Sequence, residues 1–104
     1  MELVGEVYKI TRELPKSETF GLSSQMQRAA VSIPSAIAEG ARRNHKTEYI
    51  QFLGIANGSA AELETQLILA QKIYKINGVD FKKVLDLTEE ILKMLYSLIK
   101  SLSR

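Results

Sequence analysis

The chain of 104 residues holds one histidine and no cysteine, which narrows the chemistry open to it. His45 stands three residues before Glu48, a spacing that puts both on one face of a helix. Di-metal helical bundles take a glutamate from each of two helices and a Glu-x-x-His pair from each of two others. A single histidine leaves that set incomplete, so no metal and no other cofactor is expected. Nucleophilic catalysis needs a hydroxyl beside an activating base. Ser23, Ser24, Ser32, Ser35 and Ser59 stand at apparent helix caps or small-residue packing positions, and His45 is the single candidate base. Glu39, Glu62 and Glu64 could serve as acid and base if they converged in environments that separated their pKa values, but nothing in their spacing brings them together. No glycine-rich phosphate loop ends in Lys-Ser or Lys-Thr, and Asn57-Gly58-Ser59, a glycosylation acceptor in form, lies within a helical pattern and reads as packing. No catalytic residue is expected, and the chain does not read as an enzyme.

Basic residues offer more. Lys and Arg number 14 against 12 Asp and Glu, a formal net charge of +2. Their distribution is uneven, because Arg28, Arg42, Arg43 and Lys46 share residues 21 to 46 with the lone acid Glu39. Guanidinium groups grip phosphate through paired hydrogen bonds, and the amides of a helix beginning after "ARRNHK" could add to that grip. Arg28, Arg42, Arg43 and Lys46, with Lys9 and Arg12, are therefore the candidate contacts for RNA or DNA. A solvated charged turn is the simpler account of the cluster, and no interleaving of aromatic and basic residues marks a single-strand platform.

The elements that must position these groups are legible from hydrophobic spacing. Leu3, Val7, Ile10 and Leu14 make one face of a first helix, closed by Pro15, which pushes the residue before it out of helical geometry. A second helix from about Leu22 carries Leu22, Met26, Ala29, Ile33 and Ile37, with Ser24 and Gln27 as a capping box and Gly40 as a place to fray. Pro34 lies inside it, at a cost of about 3 kcal/mol, so the helix is expected to be bent or broken there. The third helix shows Leu53, Ala56, Ala60, Leu63, Leu67, Ala70 and Tyr74 at alternating steps of three and four. Asn44 could cap its start and Gly78 mark its end. Gly54 and Gly58 within it suggest a smooth face against which a bent second helix could pack. Asp80 caps the fourth helix, where Phe81, Val84, Thr88, Ile91, Leu95, Leu98 and Leu102 repeat the pattern.

Four amphipathic helices with short links and no strand run predict an all-α, antiparallel up-and-down four-helix bundle, with residues 1–104 as one domain. Phe52, Ile55 and Ile68 flank the third seam, and Leu85, Leu92 and Ile99 the fourth. These make either a wide core stripe or a subunit interface. The amino-terminal stretch lacks the unbroken apolar core of a signal peptide, and no apolar run approaches the roughly 20 residues of a membrane span. A cytoplasmic protein without a membrane partner is expected, which the lack of cysteine suits.

"FGLSSQMQRAAVSIPSAIAEGARR" and "KTEYIQFLGIANGSAAELETQL" closely resemble the four-helix bundle proteins encoded in 23S ribosomal RNA intervening sequences. Ser32, Ile33 and Pro34 through Glu39 and Gly40 occur in the expected order, followed by Gly58, Ser59, Glu62, Leu63 and Gln66. This motif is mostly small and apolar and reads as packing and assembly. The family is similar to the accessory variability protein of diversity-generating retroelements, a pentameric ring of bundles that binds nucleic acid and a reverse transcriptase. The resemblance implies a homo-oligomer, a pentamer in that case, and an RNA or DNA partner. Two positions depart from the family pattern: Ala36 stands where asparagine is usual, and Gln27 where a second basic residue often accompanies Arg28.

Two functions follow as expectations. In one, an oligomeric bundle contacts nucleic acid electrostatically, its modest charge multiplied over several copies. In the other, the bundle is a protein-interaction module that docks a partner such as a polymerase, without direct nucleic-acid function.

Overall fold

The computed structural model describes residues 1–104. Four helices, α1 (Glu2–Glu13), α2 (Leu22–Ala41), α3 (Lys46–Ile73) and α4 (Phe81–Leu102), form an all-helical bundle, with a short 3-10 turn at Lys16–Glu18 between the first two. Each helix packs on its chain neighbour, and α1 also meets α4, closing the bundle. The apolar spacing sets the core. Leu3, Val7, Ile10 and Leu14 of the first segment, Met26 and Ile33 of α2, and Leu53, Leu63 and Leu67 of α3 are buried together with Val84 and Leu95 of α4. Each fully buried side chain of this size contributes about 1.5 to 3 kcal/mol.

The helices differ in length, and that difference shapes the surface. The 28 residues of α3 extend for ~42 Å at 1.5 Å per residue, which matches the 45 Å long axis of the molecule. The 12 residues of α1 reach only ~18 Å. An apolar groove of about 590 Å³, with Met1, Ile37, Leu53, Ile91, Met94 and Leu98 in its walls, opens beyond the amino-terminal end of α1.

Several local expectations are corrected. Of the bend or break expected at Pro34, the break is excluded, because α2 is one helix from Leu22 to Ala41; burial of Ile33 and Ala36 on either side holds the turn that the missing N–H weakens. Ser24 forms no capping box, because α2 starts two residues earlier after Gly21, and the Leu22 N–H donates to Glu18 Oε1 at 3.2 Å. Gln27 instead donates to Thr11 Oγ1 at 2.9 Å, tying α2 to α1. Asn44 does not cap α3, whose N-cap is His45. The helix ends at Ile73, and Gly78, with φ of 83°, turns the loop beyond it. Gly40 does not fray; it is buried inside α2, and a Cβ there would lie 2.6 Å from Phe52 Cβ. Gly54 and Gly58 face open space, since the contact face of α3 is carried by Ala56 and Ala60. Asp80 caps α4 as its position predicts, accepting the Lys83 N–H at 3.0 Å.

Candidate nucleic-acid interface

The corner between α2 and α3 is built around Gly40. Without a side chain it admits Phe52 and Tyr49 of α3, and this contact folds the α2 end back on the α3 start. Arg43, just past α2, then meets two carboxylates, Glu39 at 3.4 Å and Glu48 at 3.6 Å. Its guanidinium stacks 4.9 Å from the centroid of Phe52. Arg43 is thus engaged within the fold, each such surface pair being worth about 0 to 1 kcal/mol. Arg42 and Lys46 beside it are exposed and form no ion pair. No side chain caps the first turn of α3, which leaves amides there open to an anion.

The fourth helix adds cations to this end. Leu53 of α3 lies with Leu95 and Leu98 of α4, and Asn57 with Leu92 and Tyr96. That antiparallel register carries the last turns of α4 to the start of α3, so Lys100 and Arg104 share an end of the bundle with Arg42 and Lys46. Residues 35–50 and 91–104 hold six cations, Arg42, Arg43, Lys46, Lys93, Lys100 and Arg104, against two carboxylates, Glu39 and Glu48. Lys93 pairs with Glu89 at 3.5 Å. Lys100 and Arg104 were not among the sequence candidates. The available signal was the absence of any acid after Glu90.

The other sequence candidates lie elsewhere. Lys9 is on α1, 3.5 Å from Glu6, which Lys83 also holds at 3.1 Å. The Lys83 hydrogen bond lowers the Glu6 pKa, and Glu6 raises that of Lys83. Arg12 lines the same α1–α4 cleft with Asp80. Arg28 is on α2, ~21 Å along the helix from Arg42 at 1.5 Å per residue, in a cleft with Glu62 and Gln66. The six sequence candidates therefore fall into three places, and one of these, the α2–α3 corner, gathers Arg42, Arg43 and Lys46.

Among the motif residues, Ile33 and Leu63 are fully buried, Pro34 is half-buried and Glu62 exposed. Ser32 Oγ donates to Ser59 Oγ at 2.5 Å, joining α2 to α3. His45 is exposed, and no three metal-ligating side chains form a group. No helix is long and apolar enough to cross a membrane.

Residues 1–97 match the 23S rRNA-intervening sequence protein family. The chain belongs to this family. This member of the 23S rRNA-intervening sequence proteins is similar in structure to a protein of unknown function from the S23 ribosomal protein family of Bacteroides thetaiotaomicron, known from a crystal structure at 1.70 Å resolution. The two share 27% identity over 95% of this chain and 93% of the other, with a TM-score of 0.85. No curated protein matches the chain.

Proposed function

We propose that this intervening sequence protein is a non-enzymatic, homo-oligomeric helical scaffold of the cytoplasm that binds RNA or DNA through the basic end of the bundle. The observation that supports this reading is the gathering of Arg42, Lys46, Lys100 and Arg104 at one end, with no carboxylate within ion-pair distance of any of them. A phosphate backbone is the polyanion such an end suits, and several copies side by side would present a field that one +2 chain cannot. A pentameric ring, which the resemblance implies, is one such arrangement.

Fluorescence anisotropy of labelled RNA and DNA across a salt series tests the proposal, with light scattering on the same samples. Affinity is expected to fall as salt rises, because phosphate contacts release counterions. Arg42→Ala with Lys46→Ala should reduce the slope of log K against log salt by about 2. Lys9→Ala with Arg12→Ala, at the far cleft, should leave it unchanged. Salt-independent affinity, or a double variant at the corner that binds like wild type, would overturn the reading.

A second reading rests on a separate observation. Ile55 and Ile73 on α3 and Met94 and Tyr96 on α4 are more than half exposed, large apolar side chains that a protein partner could cover at either end of the bundle. Docking of a protein partner, with nucleic-acid contact incidental, would be favoured if Ile55→Glu or Ile73→Glu abolished function in cells while the Arg42 and Lys46 variants did not.

A further inference from the structure

Between α2 and α3, away from the basic end, lies a polar cleft of about 500 Å³ lined by Gln25, Arg28, Ala29, Ser32, Glu62 and Gln66. Its rim carries opposite charges, Arg28 from α2 and Glu62 from α3, both exposed and neither in an ion pair. Gln66, only 7% exposed, lines the same cleft, and its Oε1 is buried without a hydrogen-bond partner. A buried polar atom left unpaired costs about 1 to 3 kcal/mol, and it is the one such side-chain atom in the protein. The last torsion of glutamine is soft, so the amide can turn toward a molecule seated in the cleft.

The chemistry of the lining restricts that molecule. A simple anion would suit Arg28 but face the Glu62 carboxylate and the Gln66 carbonyl. A simple cation would suit those two and face the guanidinium. The cleft calls for a ligand with acceptors on one edge and donors on the next. Guanine has this pattern: O6 and N7 accept from arginine in the commonest specific base contact, and the N2 amino group donates. An unpaired guanine also offers N1–H beside N2 to a carboxylate, as bases in single-stranded RNA are read on both edges.

We propose that the α2–α3 cleft holds an unpaired guanine, with Arg28 on O6 and N7, Glu62 accepting from N1–H and N2–H, and the Gln66 amide completing the donor edge. This rests on the nucleic-acid reading above and gives it base preference, which the basic end alone cannot supply because phosphate contacts carry no sequence information. The cleft volume lies within the roughly 300 to 1,000 Å³ of small-ligand sites.

Titration of the intact protein with GMP, AMP, CMP and UMP, followed by amide chemical shifts, tests the site. Binding of oligouridylate, which lacks guanine, tests the basic end independently. GMP is expected to bind about tenfold or more tighter than the other three nucleotides. Glu62→Gln, an exposed and near-isosteric change, should abolish that preference while keeping the wild-type oligouridylate affinity and helical melting transition; Gln66→Leu should also abolish it and keep the oligouridylate affinity, and should melt no lower than wild type because it removes the unpaired oxygen. Equal response to all four nucleotides, no shifts at millimolar GMP, or a Glu62→Gln protein that still prefers GMP would overturn the proposal. So would a change of molecular mass in Glu62→Gln, which would make the cleft a seat for a second copy. Loss of oligouridylate binding with GMP preference retained would count against the basic end alone.

Discussion

Gly40 shows how one absent side chain positions a surface. A Cβ at this position would stand 2.6 Å from Phe52 Cβ and 3.0 Å from Tyr49 Cδ1, so Gly40→Ala forces α2 and α3 apart at the corner that carries Arg42 and Arg43. Helix propensity favours alanine by about 1 kcal/mol, but overpacking costs about 1 to 3 kcal/mol, and the clash is with a Cβ that has no rotamer to escape into. A lower denaturation midpoint in Gly40→Ala is the expected outcome of a urea titration. Glu18 works at the opposite end. Its Oε1 accepts the Leu22 N–H and its Oε2 accepts the Tyr74 hydroxyl, so one carboxylate joins the α2 start to the α3 end. The Tyr74 hydrogen bond, then that of Leu22, lowers the Glu18 pKa from its ordinary 4.5. The Glu18 contribution is therefore present above that value and lost as pH falls through the lower folded one. The same bond raises the Tyr74 pKa above 10.0, so the tyrosine contribution is lost only as pH rises through that higher value. Glu18→Gln should melt below wild type at pH 7, with the gap closing as pH drops through the folded Glu18 value. A gap independent of pH would show that the carboxylate charge is immaterial.

Helices were legible where a single periodic signal decided them. In α1 the buried Leu3, Val7, Ile10 and Leu14 are the residues that a step of three or four picks out, and Pro15 ends the pattern. The α3 seam was equally clear. Helix ends were less so, because capping depends on partners distant in sequence: Glu18 rather than Ser24 serves α2, and the α3 end is met by a Tyr74 hydroxyl bound to Glu18, 56 residues earlier. At Pro34 local rules left a bend or a break open, and α2 is continuous there because the local penalty is offset by the burial of Ile33 and Ala36, which no local rule sees. The basic corner was half legible. "ARRNHK" marks it, and Glu39 with Arg43 is an i,i+4 pair that local spacing gives, but the second pairing of Arg43 with Glu48 and the arrival of Lys100 and Arg104 follow only from the crossing of helices. Asp80 is the cap that local sequence does define, and removal of its bond to the Lys83 N–H should cost about 1 kcal/mol. Asp80→Ala is expected to show that loss in a urea titration, whereas Asp80→Asn should recover most of it.

At the scale of the molecule, the short α1 has the largest consequence. It leaves the groove of Ile37, Leu53, Ile91 and Leu98 open on the half of the bundle that carries the surplus positive charge. Met94 sits on that groove, 67% exposed, so a charge placed there should not disturb the core. If the proposed assembly buries this face between copies, Met94→Glu introduces an unpaired carboxylate into an apolar contact, a costly change at an interface. Met94→Glu should then keep the helical circular dichroism of wild type while its mass by light scattering falls toward that of one 11.6 kDa chain. Charge pooling makes a further demand on the same variant. Smaller assemblies bring fewer cations to one nucleic acid, so the affinity and its salt slope should fall together with the mass, although the basic residues themselves are untouched. A Met94→Glu protein of unchanged mass would place the contacts between copies elsewhere, and one of reduced mass with an unchanged salt slope would show that a single copy binds alone.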